Sequence, residues 1–217
     1  MANPWDRPPL SKRGNRSDRT LFAAIGRALI GWEEIEASMA HLYAAFTAAD
    51  RFSLQEIRDY GKPANFKDRM AILQTSADNH FRSCPSQEIE GEFCRLKKLI
   101  DGYTGRRNDI AHSRVLYIQM VVEAESLDHL KSMVDNLQWC LVPPFFRANK
   151  FTANNRPAYI LTSWEINEFA RVFWDIARAL SNLSLWVLSQ RSHASHGIRL
   201  QPGALPYKVR VPRIRKY

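Results

Sequence analysis

The sequence predicts a mainly α protein: a bundle of four to five helices with a small β-containing insertion before the last long helix. Apolar residues recur at steps of three and four through residues 21–46 and again through 166–187, the period of amphipathic helices. Between them, residues 115–122 form a continuous, β-branched-rich run that suits a strand better than a helix. With 217 residues, 45% of them hydrophobic, the chain can bury one substantial core, so one domain with appendages is expected.

In chain order, Pro4, Pro8, Pro9 and Gly14 mark an extended N-terminal arm, residues 1–17. Ser17 or Asp18 can cap the first long helix, expected over 18–48, whose stripe is Leu21, Ile25, Leu29, Trp32, Ile35, Met39, Leu42 and Phe46. Glu36 sits at the edge of that stripe, as a rim carboxylate would. Ser53-Leu54-Gln55-Glu56 is a capping-box pattern for a short helix ending at Gly61. Pro63 suits the first turn of the next helix, expected over 63–80 with Phe66, Met70 and Leu73 inward. From Glu88 a further long helix carries Phe93, Leu96, Ile100 and Tyr103 inward.

The insertion is expected over 115–161, with a helical turn at 126–134 and strand-like runs at 138–142 and 158–161. Thr162-Ser163-Trp164-Glu165 is a second capping box, and it opens the last long helix, which should run to about residue 190. The bundle thus takes residues 18–114 and 162–191, and 192–217 form a basic, proline-containing tail.

The net charge of +9 resides at the two ends. Residues 1–19 hold five basic side chains against Asp6 and Asp18, and residues 191–217 hold seven basic side chains and no acid, so the centre is close to neutral. Such ends attract polyanions by counterion release, or serve only solubility. Arg210, Arg213, Arg215 and Lys216 are the candidate RNA-binding residues of the tail. Cys84, Cys94 and Cys140 show neither paired spacing nor a zinc pattern, as expected of buried thiols in a reducing compartment. No apolar run reaches membrane-spanning length and residues 1–6 lack an apolar signal core, so a cytoplasmic protein with no membrane contact is expected.

Arg106-Arg107-Asn108-Asp109-Ile110-Ala111-His112 concentrates a guanidinium, a carboxamide, a carboxylate and an imidazole at the end of a helix. The phase running from Tyr103 puts Arg107 on the inward stripe, where a cation is costly unless it is paired or faces a wet cleft. Asn108 and His112 are four apart and share a face, with Arg107 beside it. Arg106 is either a second phosphate contact or a solvated surface charge. Asp109, on another side of the helix, is expected to pair with an arginine.

Residues 107–112 fit the Arg-Asn-x-x-x-His form of the motif of the HEPN superfamily, and the order of helices resembles that family over 18–114 and 162–191. The resemblance implies a helical bundle, often dimeric, acting as a metal-independent RNase of toxin–antitoxin, phage-defence or CRISPR-linked systems, with no cofactor. Ser113 stands where the family commonly has glycine. Under the resemblance, His112 moves the proton of a 2′-hydroxyl, Arg107 stabilises the phosphate charge, and Asn108 orients His112 or the phosphate. A second Arg-x4-His match, Arg191 to His196, lacks the asparagine and is discounted; its histidines have no evident third partner for a metal, and none is expected.

Arg107 and His112 lie well over a third of a turn apart on a helix, so two copies related by a dyad would bring both groups into one cleft, and a homodimer is expected. The alternative is a non-catalytic helical dimer that binds nucleic acid or a protein partner. A third reading is an antitoxin-like or adaptor subunit with a protein partner of its own.

Overall fold

A computed structural model describes residues 3–11, 13–48, 54–119, 137–151 and 157–196. The expected turn at 126–134, Ser53 and the tail cations Arg210, Arg213, Arg215 and Lys216 lie outside the described residues. The described chain is mainly helical. Its elements are α1 (Asp18–Thr47), α2 (Leu54–Gly61), α3 (Phe66–Ser83), α4 (Gln87–Ala111), β1 (Arg114–Gln119), β2 (Leu137–Val142), a short 3-10 turn (Ala148–Lys150) and α5 (Ser163–His196). Among the described residues, no helix is long and apolar enough to cross a membrane.

The chain divides into two compact units, and α1, α4 and α5 each contribute to both. One unit takes Trp32–Asp101 and the part of α5 from Phe173 on. Its centre is Trp32, packed against Phe66 at 5.6 Å and edge-on to Phe173 at 5.3 Å. A second aromatic group joins Phe46, Phe81 and Phe93, with centroids 5.6–6.2 Å apart. Such ring pairs add to the burial of large apolar area. Glu36, expected at the rim, is half-buried and accepts two hydrogen bonds of 3.1 Å from Arg69.

The same arginine explains a difference from the sequence expectation. Arg69 donates to the Pro63 carbonyl at 3.0 Å, and Asn65 caps the helix by accepting from the Asp68 N–H at 2.9 Å, so α3 begins at Phe66 and not at Pro63. At its other end α3 runs to Ser83, where the Cys84 N–H closes on the His80 carbonyl at 2.7 Å and Pro85 prevents continuation.

The other unit holds the N-terminal segment up to Gly31 and Gly102–Val172. Here β1 and β2 pair antiparallel, Arg114 opposite Val142 and Gln119 opposite Leu137. Cys140 and Val142 are buried, with Leu116 and Ile160 packed on them. Burial pushes the Cys140 thiol up to about 11, and the Glu165 charge adds to the rise. The free edge of β2 is closed by two isolated bridges: Trp139 exchanges 2.8 Å hydrogen bonds with Asn15, and Leu141 exchanges 2.9 Å ones with Leu161. The strand-like run at 158–161 is therefore corrected to one bridging residue. Pro157 supplies no donor, the Ala158 N–H goes to the Lys150 carbonyl, and Thr162 already belongs to the helix cap.

That cap forms as the sequence implies. The Thr162 N–H donates to Glu165 at 2.8 Å and the Thr162 hydroxyl accepts from the Trp164 N–H at 3.2 Å. Asn15 reinforces it from the N-terminal segment by accepting from the Ser163 N–H at 2.9 Å. The last helix continues to His196, beyond the expected end near 190, so the discounted Arg191–His196 match is helical and not a loop.

Candidate functional site at the end of α4

The last turns of α4 are held by a buried carboxylate. Asp109 is 2% exposed and meets three cations: Arg7 in a two-pronged contact at 3.0 and 3.0 Å, Arg106 at 3.0 Å and Lys150 at 3.2 Å. A forked arginine–carboxylate pair is among the strongest charge-assisted arrangements, and the additional donors satisfy the remaining oxygen lone pairs. Three positive groups on one negative group leave a surplus of positive charge. Burial lowers the Arg106 pKa; Asp109 opposes that fall and the neighbouring Arg7 charge adds to it.

Tyr159 completes the setting. Its ring lies under the Arg7 guanidinium, 4.8 Å from carbon to centroid, and its hydroxyl is 2.6 Å from that of Ser113. Ser113 in turn donates to the Asp109 carbonyl, so it ties off a carbonyl left unpaired where α4 ends. Serine at this position thus has a structural role. Burial raises the Tyr159 pKa above that of an ordinary phenol, with the Ser113 hydrogen bond working against it.

The N-terminal segment is docked along the same helix. Trp5 sits edge-on to Tyr103, and the Tyr103 hydroxyl donates to the Pro4 carbonyl at 2.9 Å. Burial pushes that phenol up to about 12. A Cβ added to Gly102 would fall within 2.6 Å of the Trp5 indole, so only glycine accommodates the ring. The prediction is specific: Gly102→Val releases the arm, and limited trypsin digestion then cuts after Arg13 at least about ten-fold faster, as expected where local contacts set protection. Equal rates would mean that Trp5 does not hold the arm.

The motif residues occupy the other sides of the helix end. Arg107 is half-buried and donates to Asn108 Oδ1 at 3.2 Å. Asn108 and His112 are exposed, and the His112 N–H continues the helical pattern by donating to the Asn108 carbonyl at 3.1 Å. Arg107 and Asn108 are thus in side-chain contact, and His112 follows one turn on. The solvated-surface reading of Arg106 is corrected: its side chain is 12% exposed and turned to Asp109. Arg106 Nε and Nη1 and Arg107 Nε are buried without a hydrogen-bond partner among the described residues.

Asp109 meets the expected arginine partner, but two of its three partners come from far along the chain, Arg7 across 102 positions and Lys150 across 41. Neither contact had a local signal. Among the described residues, no group of three or more metal-ligating side chains is close enough to hold an ion. Comparison of the chain with protein-family models, curated proteins and solved structures returned no match to any of them.

Proposed function

We propose that the end of α4 is the active site of a HEPN-like, metal-independent endoribonuclease. The observation that supports this reading best is the division of the segment by side. Asp109 is buried and neutralised by three cations, so it does not repel a phosphate, while Arg107 contacts exposed Asn108 and exposed His112 follows one turn on.

In the proposed reaction His112 takes the proton of a 2′-hydroxyl, whose oxygen attacks the adjacent phosphorus. The 2′-oxygen–phosphorus bond forms, the bond to the 5′-oxygen breaks, and a cyclic phosphate remains. The leaving 5′-oxygen receives a proton from the second His112 of a dimer. An imidazole suits both transfers because its ordinary pKa lies near neutrality. Arg107, oriented by Asn108, stabilises the negative charge that grows on the non-bridging oxygens. Arg106 acts through Asp109 and not as a first contact with the substrate.

The dimer belongs to the same reading. Arg107 and His112 leave α4 in directions too divergent for one chain to focus both on one phosphorus. Sedimentation equilibrium should return twice the chain mass of 25.1 kDa. A monomeric mass together with full RNA cleavage would reject the shared site. The activity itself is tested by incubating labelled RNA with the protein in EDTA beside His112→Ala and Arg107→Ala.

A further inference from the structure

The turn that carries Lys150 towards Asp109 has an unusual composition. The Arg147 N–H donates to the Pro144 carbonyl at 3.0 Å, which makes Phe145 and Phe146 the two central residues of a tight turn. Polar and small residues are the commonest occupants of turns. Here the two central positions hold phenylalanines, 66% and 84% exposed. Burial does not account for them, and two adjacent rings exposed at a turn point to a use outside the fold.

Their surroundings say what that use is. Phe145 stacks on Phe151, with centroids 5.8 Å apart and planes 23° from parallel, which holds one ring face in place. Phe146 stays free. Arg147 follows directly, and Lys150, in the next turn, is fixed to Asp109 at 3.2 Å. The turn that follows the rings is therefore tied to Asp109, in the segment that also carries Arg107, Asn108 and His112, and Arg147 adjoins the rings. Flat apolar faces interleaved with cations match the chemistry of an unpaired nucleotide strand, in which bases stack on aromatic rings and phosphates meet positive charge. A duplex keeps its bases stacked inside and offers no such faces.

We propose that Phe145 and Phe146 form a base-stacking platform that selects single-stranded RNA for the site at the end of α4. The proposal rests on the reading of that site as an RNA site. It names the substrate as a strand with at least one unstacked base.

The test is binding of a fluorescent oligoadenylate of about 12 nucleotides, and of an RNA duplex of the same length, to the full chain carrying His112→Ala. Phe145→Ala/Phe146→Ala in that background should weaken single-strand binding at least about ten-fold and duplex binding by less than about two-fold. Both rings are exposed, so an unchanged melting temperature is expected. Phe146→Trp should keep the single-strand affinity and add tryptophan emission that the oligonucleotide quenches. Unchanged single-strand affinity in the double variant would overturn the platform and leave the ring pair to a protein contact. Equal losses on strand and duplex would overturn it as well. Phenylalanine-dependent binding without cleavage by the wild-type chain would remove the catalytic reading and keep the platform; cleavage with phenylalanine-independent binding would do the reverse.

Discussion

Asp109→Ala is expected to lower the unfolding free energy by about 3–5 kcal/mol, the usual cost of removing one partner from a buried ionic cluster. Three cations converge on that carboxylate, and Arg106, at 12% exposure, has little water to turn to. The loss therefore includes the repulsion and poor solvation of the groups left behind as well as the missing hydrogen bonds. Urea midpoints should show it. A double variant that also removes Arg7 should lose less than the sum of the two single losses, because Arg7 no longer faces uncompensated neighbours. A loss under about 1 kcal/mol for Asp109→Ala would mean that solvent screens the cluster as it would an exposed pair. Cleavage should fall with stability, since the carboxylate fixes the rotation of the α4 end that presents Arg107 and His112.

His112→Ala should reduce RNA cleavage by about 10²- to 10⁴-fold, the range for removal of a positioned acid–base group. The exposed imidazole makes no packing contribution to lose, so the urea midpoint should stay with that of the parent protein. Arg107→Ala should cost about 10²-fold or more, as for other groups that stabilise charge in the transition state. Arg107→Lys should recover little, because a point charge cannot reproduce the planar fork that Asn108 holds. If His112→Ala cleaves as well as the parent, the imidazole has no role in proton transfer.

Much of the fold was legible because helical periodicity is a local property. The stripe from Leu21 to Phe46 named α1 to within a residue of its end, although the buried line runs through Ala24 and Ala28 while Ile25 and Leu29 are half-buried. The capping box at Thr162 located the start of α5 for the same reason. What was missed depends on partners distant in sequence. The start of α3 moved because Arg69 reaches back to the Pro63 carbonyl, and the strand at 158–161 shrank to one bridge because its polar groups are used by Lys150 and the helix cap.

The candidate site was legible in its residues and not in its setting. Helical phase put Arg107 on the inward stripe, yet it is Asp109 that is fully buried, with the 12%-exposed Arg106 side chain turned to it. The cause is the N-terminal segment. Trp5 against Gly102 and Arg7 on Asp109 cover a side of α4 that periodicity alone assigns to solvent, which widens the buried stripe at this end of the helix. An arm that reads as proline-rich and basic gives no hint of which helix it covers.

The central claim is that this helix end cleaves RNA through a 2′-hydroxyl. It is tested most directly by the ends of the products made by the wild-type protein in EDTA from a labelled single-stranded RNA. The account predicts fragments ending in 2′,3′-cyclic phosphate that disappear with His112→Ala. Intact RNA, fragments ending in a 3′-hydroxyl, or cyclic ends formed equally by His112→Ala would contradict it.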